Sequence, residues 1–273
     1  MIDFITQMFS YGFMVKAFVC GICLSIVSGL LGIPLVFRRM SMAGDGLSHV
    51  GFGALSCAAA LNQTPYVIAL PVVMAVAVVL LFLGERNLLR GDAAIALLST
   101  TSLAVGVTVL SLSNGMNTEV NNFLFGSLLG LDSDDVLLTV VLCVLILMLF
   151  LLLKRNIFAV TFDEYFAKAA GKKVRLIKFI LSVMTAVTIV LGMRMMGALL
   201  ISSLMVMPVL TSSRLCHSFK CLVFSVPLIS AFTFSFGLFF SYAADTPAGA
   251  SIVLCNVTVL VLVYLYASLR RVG

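Results

Sequence analysis

Charged side chains are what this sequence has least of. Only 10% of its 273 residues are Asp, Glu, Lys or Arg, where soluble domains carry about a quarter. With 62% hydrophobic residues and a mean hydropathy of +1.21, the chain has too little polar surface to meet water on all sides. A water-soluble domain is excluded. No G-x-x-x-x-G-K-[ST] occurs, so ATP is not bound here by the usual phosphate loop. G-x-S-x-G and H-E-x-x-H are missing too, which removes the common hydrolytic centres. The chain is expected not to be an enzyme, its energy coming from another chain or from an ion gradient. The seven cysteines are odd in number and lie mostly inside apolar runs, a pattern that does not suggest a disulfide framework. Cys20 and Cys23, at C-x-x-C spacing, read as small packing residues.

What the chain does have is long apolar runs. They fall near 13–37, 45–61, 66–83, 93–112, 136–153, 176–193, 195–213, 221–242 and 250–268. About 20 apolar residues of helix cross a hydrocarbon core about 30 Å thick. The expected fold is all-α, a polytopic bundle of eight to nine transmembrane helices forming one domain over 1–273. The first run is too long for a signal-peptide core and is expected to be retained. The count is soft where 176–213 is broken only around "GMRMMG" and where "VNNFLFGSLLGL" at 120–131 is too short to cross. Re-entrant or half-helix pieces are compatible with both places.

Basic residues set the orientation. With Arg38 and Arg39 inside and nine alternating spans, every Lys and Arg of the 17 falls inside except Lys16 and Arg194. That bias predicts an outside N-terminus and a cytoplasmic C-terminus. The net charge of +6 is then a topological signal that implies no nucleic-acid partner. Asp3, Glu119, Asp132, Asp134, Asp135 and Asp245 fall outside and make the outer mouth mildly anionic.

Within "RRMSMAGDGLSHVGFG", Asp45 and His49 are four residues apart. On a helix they share one face, about 6 Å apart along the axis. Ionisable groups at membrane depth cost a few kcal/mol and face a bundle interior or a wet cavity. Carboxylate oxygen and imidazole nitrogen suit Zn²⁺, Mn²⁺ or Fe²⁺ better than Cu⁺. Two ligands do not fill a coordination shell, so others are needed from the bundle, from water or from a second copy. The spacing also suits an Asp–His pair bonded to each other, or a proton relay. Small residues around the pair allow close helix approach.

The most polar stretch, "TFDEYFAKAAGKKVRLIK", lies on the inner side, in a loop at about 161–175. Asp163 can cap a short helix there, Glu164 reinforce its first turn and Gly171 end it. Such a helix offers a handle for a soluble partner, and its lysines also suit anionic lipid. Cys216, His217 and Cys221 in "RLCHSFKC" are either inner metal ligands or incidental. "ADTPAGASIVL" reads as a helix start with Asp245 or Thr246 as N-cap and Pro247 at the first helical position.

Four stretches, "LGIPLVFRRMSMAGDGLSHVGFGALS", "NNFLFGSLLGLDSDD", "TFDEYFAKAAGKKVRLIKFILSVMTAVTIVLGMRMMGALLISSLMVMPVLTSSRL" and "DTPAGASIVLC", together resemble the membrane permease subunits of zinc and manganese ABC importers. The likeness runs in order over nearly the whole chain. It implies a bacterial inner-membrane importer with a second permease copy, cytoplasmic ABC ATPase subunits and an extracytoplasmic metal-binding protein. It implies that Asp45 and His49 hold the metal in the translocation path, with Zn²⁺ or Mn²⁺ as transported substrate and no permanently bound cofactor. Asp163, Glu164, Ala167 and Gly171 would belong to the helix that couples to the ATPase. "FRRMSMAGDGLSHV" and "DTPAGASIVLC" resemble the zinc permeases more than the manganese ones. Alternatives are a manganese or iron importer of the same family, a gradient-driven metal transporter, and a chelate or cobalamin permease.

Overall fold

The computed structural model describes residues 10–86, 91–113 and 133–272. The stretch at 120–131 lies outside them. Regular secondary structure among the described residues is helical throughout, as lipid requires of an open chain whose backbone groups must bond within their own segment. The helices are α1 (Gly12–Phe37), α2 (Ala43–Ala60), α3 (Pro65–Arg86), α4 (Gly91–Leu112), α5 (Ser133–Phe162), α6 (Glu164–Ala169), α7 (Val174–Met196), α8 (Ala198–Leu215), α9 (Phe219–Ala244) and α10 (Ala248–Val272).

Seven of these are long and apolar enough to cross a membrane: α1, α4, α5, α7, α8, α9 and α10. That is fewer than the eight or nine expected from the apolar runs. α2 is not among the seven, because four glycines, two serines, Asp45 and His49 dilute its 18 residues. α3 contributes a shorter apolar stretch, Val67–Leu80. At "GMRMMG" the chain forms no half-helix. α7 and α8 are both full-length, and Gly197 turns the chain between them at φ 86°, a conformation glycine adopts freely.

The helices pack around two cores. One joins α1, α5, α7, α8 and α9 around Leu24, Phe150, Leu204 and Phe234. The other surrounds α2 with α3, α4, α7 and α8. α2 lies closest to α4, and glycine makes this possible: a Cβ on Gly53 would stand 2.6 Å from the Ser102 carbonyl oxygen. Lipid gives helices no hydrophobic reason to associate, so such backbone approach and its van der Waals contact hold them together. Outward-facing side chains of α5 and α10, including Leu152, Leu254 and Leu262, stay exposed.

Two local expectations are corrected. Cys216 and Cys221 form a disulfide, while Cys20, Cys23, Cys57, Cys143 and Cys255 are free. The α8–α9 turn brings the two Cα atoms to 5.6 Å, within bridging range, which an overall cysteine count does not reveal. Asp245 does not cap α10. It ends α9 in the left-handed conformation at φ 51°, and α10 begins after Pro247.

Candidate functional site

α2 starts two residues before Asp45, after a tight turn. Arg39 takes φ 58°, its N–H donates to the Val36 carbonyl, and the Met40 N–H donates to the Leu35 carbonyl, the paired bonds of a Schellman helix end. Ala43 N–H then donates to the Met40 carbonyl. These bonds hold both ends of the turn, which hands the chain directly to the helix that carries Asp45 and His49.

Those two side chains meet. His49 Nε2 lies 3.5 Å from Asp45 Oδ2, too far for a strong hydrogen bond. A tetrahedral Zn²⁺ with ligand distances near 2.1 Å holds neighbouring donors about 3.4 Å apart, so the separation suits a shared cation. His49 Nδ1 is buried and has no hydrogen-bond partner among the described residues. An orphaned buried nitrogen is uncommon in packed proteins and marks a place where an ion or water is expected. Asp45 is half exposed and His49 about a quarter, so the pair sits on an open face of α2. Ser48 beside them is fully buried, and its hydroxyl donates to the Gly44 carbonyl at 2.8 Å. No group of three His, Cys, Asp or Glu side chains that could hold a metal occurs among the described residues.

The second constellation is the short helix α6 between α5 and α7. Asp163 takes extended backbone angles, and its Oδ1 accepts from the Phe166 N–H at 2.8 Å. Gly171 ends the helix at φ 72°, donating from its N–H to the Lys168 carbonyl while Lys172 N–H reaches the Ala167 carbonyl. Ala167 is wholly buried. Glu164 turns inward. Its Oε2 lies 2.6 Å from Lys178 Nζ and 3.6 Å from Arg38 Nη2, and its Oε1 lies 3.3 Å from Lys168 Nζ. Burial pushes the Glu164 carboxyl up, but the hydrogen bond and charge of Lys178, with Lys168 and Arg38, outweigh it and hold the group below the ordinary carboxylate value.

The sequence singled out Asp163, Glu164, Ala167 and Gly171, and the structure gathers all four on one small element that they build and anchor. The residues α6 presents outward are others, Tyr165 at 85% exposed and Phe166 at 65%. Helical periodicity signals them, because burying Ala167 turns 165 and 166 away. Lys178 is 1% exposed and Arg38 about a quarter. Their convergence on Glu164 was not signalled, since three distant segments supply it. Cys216 and Cys221 are taken up by their bridge.

At the ends of α5 and α7 remote from α6, Arg194 in the last turn of α7 donates to Asp135 in the first turn of α5 at 2.9 Å. Arg194 is, with Lys16, one of the two basic residues that depart from the charge bias.

The comparisons with known proteins cover nearly the whole chain. It is 28% identical over 246 residues to the "High-affinity zinc uptake system membrane protein ZnuB" of Haemophilus influenzae, spanning 90% of this chain and 94% of that one. It is 24% identical over 264 residues to the "Manganese transport system membrane protein MntC" of Listeria innocua, spanning 97% and 94%. Among solved structures, "PsaBC from Streptococcus pneumoniae in complex with Fab" superposes with a TM-score of 0.86 at 26% identity, covering 97% of this chain and 95% of that one. Residues 10–267 match the ABC 3 transport family, and this multi-pass membrane chain belongs to it.

Proposed function

We propose that the chain is the membrane-spanning permease subunit of an ATP-driven importer of divalent metal, with zinc as its substrate. The observation that carries the reading is the approach of His49 Nε2 to Asp45 Oδ2 at 3.5 Å, on an open face of a helix otherwise packed within the bundle. Similarity to the zinc uptake protein of Haemophilus influenzae supports the substrate. First-row affinities favour Zn²⁺ over Mn²⁺ at nitrogen and oxygen donors. Manganese is the second reading, favoured by similarity to the Listeria innocua protein.

The whole chain acts as one transmembrane domain, with α2 and α3 completing nine spans and the C-terminus in the cytoplasm of a bacterial inner membrane. Two copies work together by alternating access. Asp45 and His49 supply two donors, and water or the second copy completes the shell. An extracytoplasmic metal-binding protein delivers the ion, and no resident cofactor is needed. ATP is hydrolysed by cytoplasmic ABC ATPase subunits, which this chain meets through the outward face of α6. Tyr165 and Phe166 make the apolar contact there, while Asp163, Ala167 and Gly171 hold the helix in shape.

The test is radiolabelled Zn²⁺ and Mn²⁺ uptake into proteoliposomes containing the full complex, with and without ATP, for native protein, Asp45→Asn and His49→Ala. ATP-dependent zinc uptake lost in both assembled variants is the expected result. Manganese uptake in its place corrects the substrate alone. Uptake indifferent to both substitutions removes the site, and uptake by this chain without an ATPase returns it to the gradient-driven class.

A further inference from the structure

We infer that Glu164 is a positioning residue for transport, acting inside this chain: its carboxylate ties α6 to the α1–α2 turn and so to the helix that carries Asp45 and His49. The inference rests on the importer reading above and deepens it.

Three observations carry it. First, Glu164 is turned away from the face α6 presents to the cytoplasm. It is 26% exposed beside Tyr165 at 85%, and its oxygens are engaged by Lys178, Arg38 and Lys168. A carboxylate already shared by three cations of its own chain is poorly placed to be the main contact for another protein. Second, the two cations not on α6 belong to the parts of the bundle that must move together. Lys178 is one turn into α7 and buried. Arg38 is the C-cap of α1, four residues before Met42 and the start of α2. The bonds Arg38 N–H to Pro34, Arg39 N–H to Val36, Met40 N–H to Leu35 and Ala43 N–H to Met40 leave that turn little freedom, so a displacement of the Arg38 end is passed to α2. Third, there is room for α2 to respond. A small cavity lies between α1, α2, α3 and α7, with Arg38, Ala43 and Leu47 on one wall and Lys178 and Leu181 on another. Asp45 shares the first turn of α2 with Ala43 but is not among the residues that line this cavity. The first turn of the metal-bearing helix therefore borders both free space and the two cations that Glu164 holds.

A push on α6 from the cytoplasm would move Glu164, draw on Arg38 and shift α2 against α7. Two packed arrangements linked in this way are the physical requirement for coupling between sites.

The experiment uses the full complex in proteoliposomes and reads ATP hydrolysed per Zn²⁺ taken up, with assembly followed by co-purification of the ATPase. Glu164→Gln is expected to raise that ratio at least about fivefold, the lower end of ordinary coupling between sites. Arg38→Gln is expected to raise it as well, and the double variant to raise it no further than Glu164→Gln alone, since both act on one linkage. A simple loss of fold would lower hydrolysis and uptake together and leave the ratio where it was. An unchanged ratio in assembled Glu164→Gln complex overturns the inference. So does loss of ATPase co-purification, which would make Glu164 an intermolecular contact, and so do additive effects in the double variant. If Glu164→Gln does not accumulate, Arg38→Gln decides alone, and an unchanged ratio there overturns the linkage. Native complex that takes up no metal with ATP fails the importer reading itself, a result distinct from all of these.

Discussion

Lys178 Nζ and Glu164 Oε2 stand 2.6 Å apart, joining the short helix α6 to the long helix α7. Lys178 is 1% exposed. An ammonium at that depth is tolerated because a carboxylate reaches it, and the carboxylate in turn gathers Arg38 and Lys168.

Removing one partner should therefore cost more than removing both. Glu164→Ala leaves a buried charge and is expected to destabilise by about 2–3 kcal/mol. Lys178→Met combined with Glu164→Gln replaces the pair by groups of similar volume and is expected to recover most of that. Thermal unfolding of the purified chain in detergent checks the order. A double variant no more stable than Glu164→Ala would mean the pair is not the source of the loss.

The same carboxylate sets a pH dependence for α6. Its folded value lies below the ordinary 4.5, so its contribution is complete above 4.5 and is lost as pH falls through the lower folded value. Amide exchange of residues 164–169, corrected for intrinsic rate, is expected to be level between pH 8 and about 5.5 and to rise once the solution is more acidic than the ordinary carboxylate value. In Glu164→Gln that rise should vanish.

Caps give α6 its form. A helix of six residues has almost no stability of its own. Asp163→Ala removes the acceptor for the Phe166 N–H and should cost about 1 kcal/mol. Gly171→Ala meets no atom within 4 Å but must hold φ 72°, and should cost about 1–2 kcal/mol from conformation alone. Both are expected to speed amide exchange across α6 while leaving α2 unchanged. Equal protection in all three proteins would show that packing of Ala167, not the caps, holds the helix.

Close packing of α2 on α4 predicts a contrast between two glycines. A Cβ at Gly46 would meet the Ile95 Cγ2 at 2.5 Å, and a Cβ at Gly53 would meet the Ser102 carbonyl oxygen at 2.6 Å. Each Gly→Ala is expected to destabilise by about 1–3 kcal/mol through overpacking. Ile95→Ala should rescue Gly46→Ala, because the obstacle is a side chain. Ser102→Ala should not rescue Gly53→Ala, because the obstacle is backbone. Equal rescue in the two unfolding curves would contradict this geometry.

Much of the candidate site's local geometry is legible in the sequence. Asp45 and His49 are placed together by helical spacing alone, since residues four apart share a face whatever surrounds them. Asp163 and Gly171 are legible for the same reason, because caps are local. The number of membrane-crossing helices was less so. α2 lacks the apolar length of its neighbours, and what shelters its glycines is the ring of α3, α4, α7 and α8 around it, while Asp45 and His49 stay on its open face. The Cys216–Cys221 bridge likewise depends on how sharply α8 turns into α9.

The sequence by itself determined that the chain is helical and lies in a membrane, since long apolar runs can satisfy their backbone there only as helix. It also determined that Asp45 and His49 share one helix face and that Asp163 and Gly171 bound a short helix. Only the tertiary structure decided that Glu164 faces inward to Lys178 and Arg38, that Tyr165 and Phe166 face out, and that the Asp45–His49 face stays open. Contacts among residues 38, 164 and 178 follow from how α1, α6 and α7 cross, and crossing is set by side-chain packing between distant segments, which no local period in the chain encodes.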